Sequence, residues 1–199
     1  MTTSIAVVDP SKTALLLMDF QPAILASIAE SDGLLGTART ALAWARSQAV
    51  QVCYVRVAFA EEDYRAVPGH SKAFAAVAQN RFLAADSPEA QIHESLEVRD
   101  DDIVVRKTRF GAFSTTGLYP RLRALGIDTL VLAGISTSGV VLSTVRDAGD
   151  EDYRIFVLSD ATADPDPDVH RTLIEKVFPH QADVITSGDL STVSRGPNV

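Results

Sequence analysis

One cysteine, Cys53, occurs in 199 residues. That scarcity excludes an intramolecular disulfide framework and a cysteine-rich metal site, and it fits a reducing compartment, so a cytoplasmic location is expected. Basic runs are missing too. Lys and Arg number 18 against 26 Asp and Glu, a formal charge of −8. No basic face is available to neutralise phosphates, which argues against a nucleic-acid partner. No apolar run approaches the roughly 20 residues that span a bilayer, so no membrane role is expected. The opening "MTTSIAVVDPSK" lacks the charged-then-apolar order of a signal peptide.

Metal-binding patterns are thin. The four histidines, His70, His93, His170 and His180, lie in polar stretches and read as surface residues. Asp63 and His70 are near each other, but one histidine in a loop makes no zinc or iron set. Asp160, Asp164, Asp166 and Asp168 are interrupted by Pro165 and Pro167 and lack the glycine and final glutamate of a calcium loop. Helix capping and turns account for them better. Neither a metal nor a cofactor is expected.

What the chain does have is alternation. Six short apolar runs lie at residues 13–19, 50–59, 102–107, 128–134, 154–160 and 182–186. Strands covered on both faces read as continuous apolar runs of this kind. Helical periodicity separates them. "LLGTARTALAWARSQA" puts Leu35, Ala38, Leu42 and Ala45 on one stripe, and "GLYPRLRALG" closes on Gly126, a good residue just past a helix end. "PDPDVHRTLIEKVFP" opens with Asp/Pro chemistry and stops at Pro179. Strands alternating with helices predict one α/β domain over residues 1–199 around a six-stranded, mainly parallel sheet. The long excursion at residues 60–88 reads as a lid or an oligomer contact, and residues 192–199 as a disordered tail.

In such sheets ligands sit beyond the carboxyl ends of the strands. Asp19, Gln21, Lys107, Arg109 and the small-residue turn at 135–140 all stand at those ends. Asp19 closes an unbroken apolar strand. As a helix cap it is badly placed, because Pro22 can start a helix and Gln21 is nearer. Lys107 alone would read as a snorkelling edge residue. Opposite Asp19 in a dry cleft, each would fix the protonation state of the other. The turn "GISTSGVV" fails the G-x-S-x-G pattern of a serine nucleophile, since Ser138 stands where the second glycine belongs. A helix N-terminus whose N–H groups can hold an oxyanion remains.

"TALLLMDFQPAIL", "IVVRKTRFGAFSTTGL" and "DTLVLAGISTSGVVLSTVRDAGDEDYRIFVLSDATAD" together resemble the isochorismatase-like hydrolases, a superfamily that includes nicotinamidases and N-carbamoyl-amide hydrolases. The resemblance implies a three-layer α/β/α sandwich and a dimer or tetramer. It places the family's acid on Asp19 and its lysine on Lys107. Amidase members carry a cysteine nucleophile at the position of Val140. A valine has no attacking atom, and Cys53 lies inside a strand. Isochorismatases also lack that cysteine, typically with glycine there, and cleave a vinyl ether. The stretch "KTRFGAF" resembles their K-x-R-x-S-A-F, with Gly111 in place of the serine. A non-prolyl cis peptide is implied at Ile135–Ser136.

The resulting expectation is a cysteine-independent hydrolase of a small organic substrate. Asp19 and Lys107 would be catalytic; Gln21, Arg109, Ile135, Ser136, Gly139 and Val140 would bind substrate. The rival is a non-catalytic descendant that binds a metabolite or another chain. An adjacent ammonium lowers a carboxyl pKa, so burial of Asp19 has to oppose Lys107 if Asp19 is to donate a proton near neutral pH.

Overall fold

A computed structural model describes residues 8–193. Six strands form one sheet: β1 (Thr13–Met18), β2 (Gln51–Val57), β3 (Ile103–Lys107), β4 (Thr129–Ile135), β5 (Arg154–Ala163) and β6 (Asp183–Ile185). Every neighbouring pair is parallel, in the order β3-β2-β1-β4-β5-β6. The chain winds outward from β1 to β3, returns beside β1 as β4, and winds outward again. The order reverses between β1 and β4, where doubly wound sheets open a crevice.

The helices are α1 (Pro22–Leu25), α2 (Ser31–Ser47), α3 (Glu61–Arg65), α4 (Ala75–Gln79), α5 (Leu118–Ala124), α6 (Leu142–Asp150), α7 (Pro167–Thr172) and α8 (Leu190–Val193). They cover both faces. On one face Leu15, Leu17, Val131 and Phe156 pack under the α2 stripe of Leu35, Ala38, Leu42 and Ala45. On the other Leu16, Val55, Leu132 and Val157 pack under Leu118 and Leu122 of α5 and Val145 of α6. Each large aliphatic side chain removed from water contributes about 1.5–3 kcal/mol, which is why β1 and β4 carry no polar side chain after their opening threonines, Thr13 and Thr129. Gly126, at φ 71°, follows α5 as the capping pattern predicts.

Three expectations needed correction. β3 is not covered on both faces: Ile103, Val105 and Lys107 are buried while Val104 and Arg106 are exposed, as suits an edge strand. The "PDPDVHRTLIEKVFP" helix changes after Thr172 into a wider π-helical turn, Leu173–Val177. Residues 192 and 193 are helical, not part of a tail. α8 continues to Val193, whose side chain is buried and whose carbonyl accepts from the Val8 N–H at 2.9 Å. The rest of that expectation lies outside the described residues.

The excursion at 60–88 is a folded patch. Phe59, Tyr64, Phe74, Leu83 and Ala90 build a small core of their own beside the end of β2. Phe59 stacks on Tyr64 at 5.4 Å and tilts against Phe74 at 6.2 Å. This patch leans over the carboxyl edge of the sheet and supplies Phe74 and Leu83 to the cleft there. No helix among the described residues is long and apolar enough to cross a membrane.

Candidate active site

β1 ends at the switch point in Asp19, whose backbone adopts φ 60°. That left-handed turn is uncommon outside glycine, and asparagine and aspartate tolerate it best. It swings the chain off the sheet while the Asp19 N–H still pairs with Val55 O at 2.8 Å. The Asp19 side chain caps no helix. It lies in a cleft of about 240 Å³ lined also by Val57, Lys107, Arg109, Ile135, Ser136, Gly139 and Val140. Seven of the eight residues expected at the site from the sequence therefore meet in one place.

Lys107 reaches this point from the edge of the sheet. β3 is two strands from β1, roughly 10 Å at ordinary strand spacing. The lysine stem crosses the end of β2, where Lys107 is the register partner of Val57. Its Nζ lies 2.7 Å from Asp19 Oδ2 and donates to Arg109 O at 3.0 Å. Lys107 is 2% exposed and Asp19 4%, so the pair is removed from water, and the snorkelling reading of Lys107 fails.

Asp19 Oδ1 has no hydrogen-bond partner within the protein. Burial raises the carboxyl pKa to about 6 against the opposing Lys107 ammonium. Desolvation therefore outweighs the lysine, and Asp19 is poised to gain and lose a proton near neutral pH.

Gln21 is the residue that does not join the cleft. Its side chain is fully buried. Nε2 donates to Val57 O at 2.9 Å and Ala90 O at 2.8 Å, and Oε1 accepts from Val57 N at 2.8 Å. The carboxamide thus pairs with β2 where β1 has turned away, and it pins Val57 as a wall of the cleft. Its polar groups are committed to backbone, so the expected substrate contact is corrected to a structural one.

The turn after β4 is also more committed than the sequence suggested. Ile135–Ser136 is a cis peptide, where the resemblance placed one. Residues Thr137–Val141 form a π-helical turn leading into α6. Within it the Ser138 N–H and Oγ both bind Asp164 Oδ2, at 2.8 and 2.7 Å. The Gly139 and Val141 N–H groups donate to Ser136 O. Three backbone donors proposed for an oxyanion are therefore already satisfied. Gly139 lets the turn pack closely: a Cβ there would lie 2.7 Å from Ser136 Oγ, which would have to move.

Some contributors were invisible in the sequence. Phe74 and Phe110 form an aromatic wall, 4.9 Å apart and tilted by 58°, and Arg109 lies over the Phe74 ring at 5.3 Å. His170 is half-buried, with Nδ1 2.8 Å from the buried Thr137 Oγ1 behind the turn, and burial lowers its pKa. Reading it as a surface histidine missed this support. Gly111 has a local cause: a Cβ there would lie 2.6 Å from Asp147 Oδ2, so that carboxyl fills the space of a serine side chain. The suspected calcium acids serve as caps and clamps. Asp166 caps α7, Asp164 holds Ser138, and Asp160 binds the Ser187 N–H and hydroxyl. Among the described residues, no three potential ligands cluster as a metal site would require.

Known proteins are similar to this chain in sequence and fold. The isochorismatase domain model matches residues 13–189. The chain belongs to the isochorismatase family. Phenazine biosynthesis protein PhzD1 of Pseudomonas aeruginosa is 32% identical over 186 residues, covering 92% of this chain and 86% of that protein. The ureidoacrylate amidohydrolase RutB of Rhizobium rhizogenes is 32% identical over 181 residues, covering 80% and 73%. An isochorismatase family protein structure from Burkholderia thailandensis superposes with a TM-score of 0.80 at 25% identity, covering 96% of this chain and 99% of its own.

Proposed function

We propose that this isochorismatase-family protein hydrolyses a small organic molecule, at a vinyl ether or a C–N or C–O bond, with Asp19 as its acid–base group and no thiol nucleophile. The observation that carries the reading is the Asp19 carboxyl. One oxygen is held by Lys107 at 2.7 Å and the other is unpartnered and buried at the cleft. A group with its pKa near 6 can act as donor in one step and acceptor in the next.

For a vinyl ether, protonated Asp19 gives its proton to the enol carbon. The C=C electron pair forms the new C–H bond and leaves an oxocarbenium ion. Lys107 then neutralises the Asp19 carboxylate. Water adds to the cationic carbon and returns a proton to Asp19, and the hemiketal collapses to a carbonyl compound and an alcohol. For a C–N bond, the Asp19 carboxylate would instead deprotonate the attacking water and return that proton to the leaving nitrogen as the C–N bond breaks. Amide cleavage is named in the ureidoacrylate amidohydrolase and in a maleamate amidohydrolase of Pseudomonas putida, 28% identical over 190 residues.

Two observations support a chemistry without a thiol. Val140 lines the cleft, at the position where the resemblance implies a cysteine in amidase members. Cys53 is fully buried in β2 opposite Leu16, and burial pushes its pKa up to about 12. A thiol so raised is a poor nucleophile. The test is a screen of vinyl ethers, amides and carbamates, followed by Asp19→Asn on whichever substrate turns over. Activity should disappear with the fold intact; undiminished turnover, or loss of turnover on alkylating Cys53, would overturn the reading. The rival, a non-catalytic binder, draws support from Val140 filling the reacting position. Tight binding without conversion across the screen would favour it.

A further inference from the structure

Resting on that reading, one cation in the cleft, Arg109, forms no salt bridge among the described residues, although its charge reaches the Asp63 carboxylate. Lys107 has two acceptors, Asp19 Oδ2 and Arg109 O. The Arg109 guanidinium has one N–H on Thr108 O at 2.6 Å and a face on Phe74. Among the described residues no carboxylate forms a salt bridge with it. A guanidinium offers five donors in a fixed fork, so most of its capacity is unspent. The nearest competitor is Asp63, whose carboxylate is taken by Arg106 and by the Ala60 N–H at 2.8 Å. Stacking on Phe74 holds the arginine plane in place and lowers the ordering cost of a ligand that binds its edge.

The rest of the cleft sets the shape and charge of that ligand. Ile24, Val57, Leu83, Phe110 and Pro165 make the walls mainly apolar, and Phe110, 48% exposed, stands among them. At about 240 Å³ the space is below the roughly 300 Å³ at which sites for drug-sized ligands begin. Asp19, Lys107 and Arg109 are the titratable residues of the lining. The end of β2, α1 and the Ser136–Val140 face bring no other charge to Asp19, and Asp164 is committed to Ser138. One cation without a salt bridge matches one negative charge. An anion beside Asp19 adds a like charge to a carboxyl that burial already disfavours as an ion, so filling the cleft should protonate Asp19.

We propose that the cleft takes a small, flat, singly negative molecule with an apolar body, seats its anionic group on Arg109, and takes up one proton on Asp19 as it binds. The substrate class is thus a compact unsaturated or aromatic monoanion. The proton gained on binding is the one Asp19 donates in the proposed reaction.

Benzoate and its neutral isostere benzamide are the probes, titrated calorimetrically into the full-length protein at pH 5.5, 6.5 and 7.5 in buffers of different ionisation enthalpy. Benzoate should bind at least tenfold more tightly than benzamide and weaken by up to about tenfold per pH unit above 6, with about one proton taken up at pH 7.5. Arg109→Gln should cost tenfold or more of benzoate affinity, and Arg109→Lys less. Asp19→Asn should bind benzoate with no pH dependence and no proton uptake. Equal affinity for the two probes, no binding of either, an unchanged Arg109→Gln, or benzoate binding without proton uptake in the wild type would each overturn the proposal. The hydrolase reading fails separately. Binding as described without turnover of any substrate removes only that reading, and turnover with no preference for anions removes only this one.

Discussion

Of two hollows at opposite edges of the sheet, the larger is the less informative. At the amino edge a hollow of about 380 Å³ is lined by Pro10, Arg46, Gln51, Arg99, Asp102 and their neighbours. Its buried carboxylate, Asp102, is matched. Both Asp102 oxygens take N–H groups of Arg46, and Oδ2 also accepts from the Arg99 N–H at 2.7 Å. The carboxyl-edge cleft is smaller, yet among the described residues it holds an Asp19 oxygen without a hydrogen-bond partner and an arginine without a salt bridge. Unfinished polar chemistry marks the site better than volume. Leaving a buried polar group unmatched costs about 1–3 kcal/mol, and of the four such atoms among the described residues Asp19 Oδ1 is the one in this cleft.

The largest effect expected from breaking this contrast is Asp19→Asn, which should lower turnover on a verified substrate by about 10²–10⁴-fold, the usual contribution of a general acid or base. The matching change at the other edge, Asp102→Ala, should leave turnover unchanged and cost about 3–5 kcal/mol of stability by chemical denaturation, because Arg46 loses a nearly buried partner. Gln21→Ala tests the boundary between the two behaviours. It should destabilise by about 1–3 kcal/mol for each backbone group left bare, with a smaller loss of activity through Val57.

The pH profile sharpens the comparison. If protonated Asp19 starts the reaction, kcat/KM should fall about tenfold per unit above pH 6, since the acid form is the one consumed. Stability runs the same way for this group. The folded protein binds the Asp19 proton more tightly than the unfolded chain, so Asp19 should lower stability as pH rises from about 4 to 6. His170, lowered by burial, should act oppositely, reducing stability as pH falls below the pKa of a free histidine. Both slopes should vanish in Asp19→Asn and His170→Asn respectively. The smallest effect belongs to Ser138→Ala, about 1 kcal/mol, since the Ser138 N–H keeps Asp164 in place.

Period and position made much of this legible beforehand. Six apolar runs gave the sheet because burial on both faces forces unbroken hydrophobicity, and the rule that ligands gather at carboxyl ends put Asp19 and Lys107 on the same edge. Gln21 was misassigned for an intelligible reason: proximity to Asp19 in sequence carries no information about which way an amide turns. The donors of the Ser136–Val140 turn looked free because Asp164, 26 residues after Ser138, is joined to it only by tertiary structure. Phe74 and Leu83 were hidden in a polar-looking excursion whose apolar residues meet only after folding. What escaped the sequence was contact across the chain, and what it revealed was pattern along it.

The reach of Lys107 has one more implication. Its strand is the outermost of the sheet, yet its ammonium completes the centre. The site is therefore assembled last and lost first, because edge strands open at lower free energy than central ones. Peeling β3 away would withdraw the ammonium that neutralises the Asp19 carboxylate formed on proton transfer, and silence the chemistry before the sheet itself unravels. Proton exchange at the β3 amides and loss of turnover under mild denaturant should then share one midpoint, ahead of global unfolding.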